Sequence, residues 1–289
     1  MIKRTLYFGN PAHLKKRNDQ LMVQVKDKPE TLIPIEDIGL VVLDHPQVTI
    51  THGLGNALID NNAAVLWCND KHMPNGLILP MSANHTYTEK LRYQLNSSEP
   101  LRKSLWKQTV MAKIDNQAAV LEKMGANSAP LRRWSKEVKS GDPENVEARA
   151  ASYYWGKYFE YLDLWIVRHR FGAPPNNALN YGYAILRAIV ARALMGSGCL
   201  PAVGIHHHNK YNPFCLADDV MEPYRPFVDY YAMQQFTMGG LPPEKLDKNW
   251  KATLLKVPVI DTKIDGKKSP LMHSAQRSSS SLMACYEGS

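Results

Sequence analysis

Three consecutive histidines stand close to four acids in the stretch "VGIHHHNKYNPFCLADDVMEPYRPFVD", residues 203–229. Carboxylate oxygen and imidazole nitrogen are the side-chain atoms that hold divalent cations, so the stretch raises the question of a metal. If 218–222 is helical, Asp218 and Asp219 lie four and three residues before Glu222 and share its face, where like charges repel. A divalent cation would compensate them. An ion pair between Glu222 and Arg225 would also serve, as would exposure to water, and spacing leaves all three open. Pro223 biases Glu222 away from helical backbone, so a kinked helix is expected. A zinc site built from the three histidines is disfavoured, because neighbours in an extended chain point to opposite faces. One histidine is expected to function and the others to be structural or surface groups.

A second acid draws attention in "GDPENVEARAASYYWGKYFEYLDLW", residues 141–165. Asp142 can cap a helix there, and Pro143 suits its first position, where the missing N–H has no partner anyway. Counted from Glu147, the positions on its own face are Ala151, Tyr154, Trp155 and Tyr158, an apolar and aromatic set. Glu147 then points inward, and a buried carboxylate costs several kcal/mol unless paired or bound to a cation. The other reading is an exposed first-turn glutamate favoured by the helix dipole. The pattern does not separate the two.

The elements that must position these residues change character along the chain. "QLMVQV" alternates, and "TLIPIEDIGLVVLDHPQVTI" carries two β-branched runs split around "IED". "AVLWCN" and "GLIL" look like short buried strands, the second launched by a "PNG" turn at 74–76, while "THGLGNALIDNN" suits a short helix capped by Thr51. From about residue 86 the period is helical. Trp106, Val110, Ile114, Ala118 and Leu121 form one apolar stripe, with Arg102, Lys103, Lys107 and Lys113 read as basic residues around it. Further helices are expected at roughly 143–170, 177–197 and 218–238, and "GSG" at 196–198 reads as a helix end, not a nucleotide loop. The fold class is therefore α+β. A small β-rich domain (1–80) and a linker (81–88, around "PMSANHTYT") precede a larger helical domain (89–289).

The 289 residues carry 35 lysines and arginines against 27 acids, a net charge of +8 that favours polyanionic partners without proving them. With no apolar run of 18 residues and no apolar segment after the first basic cluster, neither membrane insertion nor secretion is expected. The four scattered cysteines, Cys68, Cys199, Cys215 and Cys285, read as reduced thiols of a cytoplasmic protein.

Two segments carry a resemblance. "EARAASYYW" from Glu147 and "GIHHHNKYNPFCLADDVMEPYRP" at 204–226 resemble the CRISPR-associated spacer-acquisition integrases, which have a glutamate opening an E-[GA]-x-x-A helix, then G-x-x-H, then L-x-x-D-x-x-E-x-x-R-P. The matching positions are Glu147, His207 and Glu222, with Asp219 as the D of D-x-x-E. "LYFGNPAHLKKRNDQLMVQ" and "IPIEDIGLVVLDHPQVTIT" extend the likeness, especially to shorter type II members, over nearly the whole chain. The resemblance implies a β-sandwich-like N-terminal dimerisation domain and an all-α catalytic domain. It also implies homodimers flanking a small dimeric CRISPR-associated partner in a heterohexamer, and help from the type II effector nuclease with its guide RNA. The implied activity is metal-dependent integration of short foreign double-stranded DNA fragments into the repeat array, with endonuclease activity.

On that resemblance Glu147, His207 and Glu222 are catalytic and bind Mg2+ or Mn2+, manganese accepting the nitrogen more readily. A phosphodiester transition state gathers negative charge that such an ion stabilises. With so few carboxylates, firm metal binding is expected only once DNA phosphate completes the shell. Asp219 is expected to orient His207 or to ligate occasionally, and Arg225 to pair with a site carboxylate or with phosphate. Asn177, Asn180 and Tyr181, in "NNALNYGYAIL", resemble the family's N-x-L-[NS]-[FY]-G-Y helix and are candidates to line the DNA path, against an ordinary core role for Tyr181. Two other functions stay open: a DNA-binding scaffold without activity, and a phosphoesterase acting on structured nucleic acid.

Overall fold

The computed structural model describes residues 3–81, 83–169, 172–264 and 266–288. Its N-terminal part runs β1 (Arg4–Phe8), β2 (Ala12–Arg17), β3 (Gln20–Gln24), β4 (Thr31–Pro34), β5 (Ile38–Leu43), β6 (Val48–Ile50), α1 (His52–Asp60), β7 (Ala64–Cys68) and β8 (Pro74–Ile78). The strands form two sheets, β1-β5-β7-β8 and β4-β3-β2-β6. In the first, β5 pairs in parallel with both β1 and β7, and β8 closes the edge antiparallel to β7. The turn before β8 lies earlier than "PNG" implies. Asn69 and Met73 close it, and Pro74, Asn75 and Gly76 already belong to the strand.

β5, "IGLVVL", is buried at every position. Its alternation sends Leu40 and Val42 toward the helices, and Val41 and Leu43 toward the second sheet and α1. β7 repeats the division, with Ala64 and Leu66 on one side and Val65 on the other. The strand-rich and helical parts thus share a core through this sheet.

The helical part comprises α2 (Tyr87–Leu95), α3 (Glu99–Lys123), α4 (Ala129–Glu137), α5 (Val146–Tyr161), α6 (Asn176–Ser197), α7 (Cys215–Met221), α8 (Arg225–Gly239), α9 (Lys248–Leu254) and α10 (Leu271–Glu287). Before α10 comes a hairpin, β9 (Asp261–Ile264) and β10 (Lys267–Pro270), so this part is mostly but not wholly helical. The "DG" at 265–266, a favoured hairpin turn, was the available sign. The expected linker includes Ser82, outside the described residues. Further on, Asn84 reaches the Gly196 carbonyl, and α2 starts at Tyr87.

α5 stops at Tyr161 instead of continuing to 170. Asp163 takes a left-handed conformation (φ 54°), and the N–H groups of Asp163 and Leu164 donate to the carbonyls of Glu160 and Phe159. That pattern caps a helix end by satisfying its last carbonyls. Gly198 (φ 86°) ends α6 the same way, as "GSG" implied.

Candidate active site

α3 is the floor of the site. Trp106, Val110, Ile114, Ala118 and Leu121 are buried as the stripe requires, each large side chain contributing about 1.5–3 kcal/mol. The same face also buries Lys113, read from sequence as one of the basic residues around the stripe. It lies three residues beyond Val110 and four before Gln117, which is also buried, so a face stepping by three and four would have included it.

The Lys113 ammonium meets two carboxylates at once. It donates to Glu147 Oε1 and lies 2.5 Å from Glu222 Oε2. Glu147 comes from the first turn of α5. Asp142 holds that turn, its Oδ1 accepting from the Val146 N–H at 2.9 Å and its Oδ2 from the Glu147 N–H at 3.0 Å. Asp142 is thus the acceptor the sequence indicated, but the helix starts at Val146 and Pro143 lies outside it.

Pro223 does not push Glu222 out of the helical region as expected, for the Glu222 φ of −53° and ψ of −46° are helical. What changes is the hydrogen bonding: α7 ends at Met221, a 3-10 turn spans Glu222–Tyr224, and α8 restarts at Arg225. Asn116 of α3 donates to the Pro223 carbonyl at 2.8 Å and fixes the turn to the floor. Arg225 reaches Glu222 Oε1 at 3.0 Å and lies over the Tyr183 ring. Burial alone would raise the Glu222 pKa, but Arg225 and Lys113 outweigh it and hold the carboxyl below its ordinary range. Burial alone would likewise lower Lys113, yet Glu222 and Glu147 keep it above its ordinary value.

The like charges of 218–222 are each answered by protein groups. Asp218 accepts from Arg187 and Asn212, both at 2.7 Å. Asp219, fully buried, accepts N–H groups from Ile205 at 2.7 Å, His206 at 3.0 Å and His207 at 3.3 Å, and contacts His207 Nδ1. The carboxylate therefore folds the histidine loop around itself, leaving Nε2 of His207 as the unclaimed ring nitrogen. Gly204 makes the loop feasible. A Cβ there would lie 2.3 Å from the His207 carbonyl oxygen and 2.9 Å from Asp219 Oδ2, which is the physical reason for glycine in G-x-x-H. The hydrogen bond to Asp219 raises the His207 pKa despite burial. His206 instead stacks on Trp106, centroids 4.2 Å apart, and burial lowers its pKa. His208 is exposed.

Glu147 and Glu222 are thus brought together, with His207 tied to Asp219 alongside. Among the described residues no three His, Cys, Asp or Glu side chains stand ready to hold an ion, so a shared ion requires side-chain movement. The donor set nonetheless suits a hard cation. It offers two carboxylates and one imidazole nitrogen, with buried Glu222 Oε2 facing the Lys113 ammonium at 2.5 Å.

Other expected residues fall elsewhere. Tyr181 is fully buried near Cys68, Asp44 and Tyr7, a core aromatic and not a DNA-facing one. Asn177 spends its amide on the carbonyls of Pro243 and Glu244, and Asn180 accepts from Arg168 at 2.6 Å. A groove of about 1010 Å³ lies beside the end of α5, lined by Phe159, Trp165 and Val167, away from the carboxylate pair. The cysteines are all free, and no helix among the described residues is long and apolar enough to cross a membrane.

Residues 6–264 match the family model described as CRISPR associated protein Cas1. A curated relative from Neisseria meningitidis serogroup C, named CRISPR-associated endonuclease Cas1, is 39% identical over 250 residues, 84% of this chain and 79% of its own. Two solved structures share the fold at 19% identity. "Casposase bound to integration product" superposes with a TM-score of 0.80, covering 100% of this chain and 91% of its own. "Cas6-RT-Cas1--Cas2 complex" does so at 0.74, covering 99% of this chain and 35% of its own. The match spans both the strand-rich region and the mostly helical region that carries Glu147, His207 and Glu222: the chain belongs to the Cas1 family of CRISPR-associated proteins.

Proposed function

We propose that this protein cuts and joins DNA phosphodiesters, inserting short foreign DNA fragments into a CRISPR repeat array with a divalent ion held by Glu147, His207 and Glu222. The observation that carries the reading is the meeting of Glu147 and Glu222 at one buried ammonium, beside a histidine oriented by a buried carboxylate. Mg2+ or Mn2+, when bound, would supply Lewis-acid stabilisation of the charge that gathers on the phosphate. The chain's own residues do the rest. Asp219 fixes the His207 tautomer so that Nε2 keeps its lone pair. Arg225 holds Glu222 ionised and offers a guanidinium near the phosphate. In integration the fragment's 3′-hydroxyl attacks and one phosphodiester replaces another, so no ATP is needed. In cleavage water takes the hydroxyl's place.

The relatives named as endonucleases support cleavage, and a casposase of the same fold, bound to its integration product, supports joining. The Cas1–Cas2 complex that shares this fold supports a small Cas2-type partner. Our reading adds homodimers on either side of that partner in a heterohexamer, with the type II effector and its guide RNA helping capture.

The test is fragment integration into a repeat-bearing plasmid, and cleavage of duplex and branched DNA, with and without the partner, in Mn2+ and Mg2+. Glu147→Ala, His207→Ala and Glu222→Ala should each abolish both reactions, with DNA affinity measured without metal largely retained. His206→Ala and His208→Ala should keep activity within several-fold. Normal integration by any of the first three would remove that residue from the site. Cleavage confined to branched DNA, with no integration, would favour a structure-specific phosphoesterase.

A further inference from the structure

Lys113 has no place in the chemistry above, yet it is the most enclosed cation at the site. It is 7% exposed, fixed on the 25-residue α3, and its ammonium lies against the two carboxylates assigned to the ion. Arg225 adds a second positive charge on the far oxygen of Glu222. The cluster of Glu147, Glu222, Lys113 and Arg225 is therefore neutral as it stands. A divalent ion entering it would leave two uncompensated positive charges in a half-buried place, which low local polarity penalises. Phosphate oxygens are the groups a DNA duplex brings to neutralise them.

We propose that Lys113 is a built-in counter-cation. It holds the two glutamates together in the DNA-free protein, keeps a divalent ion off them, and moves onto phosphate oxygen when DNA arrives. Metal binding and DNA binding are then one coupled event, and a duplex strengthens metal binding by the same factor as metal strengthens duplex binding. This rests on Glu147 and Glu222 being ligands, and it assigns Lys113 a positioning role that makes loading conditional on substrate. Nuclease chemistry would thereby stay silent until a phosphodiester is in place.

The experiment is Mn2+ binding to the full-length protein, followed by the electron paramagnetic resonance of free Mn2+ with and without a short duplex. Wild type should bind weakly alone and at least about tenfold more tightly with duplex. Lys113→Met should bind Mn2+ at least about tenfold more tightly than wild type without DNA and gain less from duplex, while Lys113→Arg should behave as wild type. Lys113→Gln replaces the methionine variant if thermal melting shows the latter unfolded. Equal Mn2+ affinity of wild type with and without duplex would overturn the proposal. So would unchanged or weakened DNA-free affinity in a folded Lys113→Met or Lys113→Gln. Glu147→Gln and Glu222→Gln separate the two levels. If they leave Mn2+ binding intact in the presence of duplex, the ligand assignment itself fails and the Lys113 role falls with it.

Discussion

Asp219 and His207 are locked together: one carboxylate contacts the imidazole Nδ1 and also gathers the backbone N–H groups leading to it. The contact raises the His207 pKa above 6.5, so the protonated ring persists to higher pH than in a free histidine. Proton and metal ion compete for Nε2. Duplex-supported Mn2+ binding and turnover should therefore fall as pH drops through a midpoint above 6.5, and Asp219→Asn should move that midpoint down. A midpoint unmoved by Asp219→Asn would remove Asp219 as its cause.

Gly204 sets how closely the loop can wrap Asp219. Gly204→Ala forces its Cβ against the His207 carbonyl, backbone that has nowhere to go. About 1–3 kcal/mol of stability should be lost. Integration should fall more than a hundredfold, since 1 Å of misplacement can already cost that much. Thermal melting and an integration assay check both. Near-normal activity would mean the loop tolerates a different path.

Asp229 is buried, accepting from Tyr183 at 2.5 Å and Tyr154 at 3.1 Å. Burial outweighs those hydrogen bonds and pushes its pKa up to about 7. A carboxyl raised on folding stabilises the fold fully below its unfolded pKa near 3.9, and that stability drains as pH climbs toward about 7. Urea denaturation should therefore show Asp229→Asn gaining on wild type between about pH 4 and 7, by up to roughly 4 kcal/mol, and holding level above. A difference independent of pH would contradict this.

Asp44 at the end of the β1-β5-β7-β8 sheet meets Lys251 of α9 at 2.7 Å, with Tyr7 at 2.5 Å and His72 at 2.9 Å on the same carboxylate. Both members of the ion pair are buried, 3% and 4% exposed. Lys251→Met leaves an under-compensated carboxylate between the strand-rich and helical parts and should cost about 3–5 kcal/mol. Adding Asp44→Asn should recover much of the loss. Denaturant melts of the two single variants and the double variant measure the coupling, and strict additivity would show that the pair does not act as one.

By itself, the sequence determined the periodicities and the motif residues. The change from alternating strands to helical stripes set the α+β order, because apolar spacing follows backbone geometry and is local. Glu147, His207 and Glu222 were legible for a related reason: each sits beside a local marker, the cap at Asp142, the glycine before His207, the proline after Glu222. Tertiary structure alone decided what answers their charge. Lys113 read as one of the basic residues around the stripe because steps of four from Trp106 pass it by, and only packing α3 against α5 and the Glu222 turn puts its ammonium between two acids. Tyr181 went the other way, from a motif position to the core, because its helix is covered on that side by the first sheet. Burial and ion pairing between distant segments depend on which faces meet, and no local spacing records that.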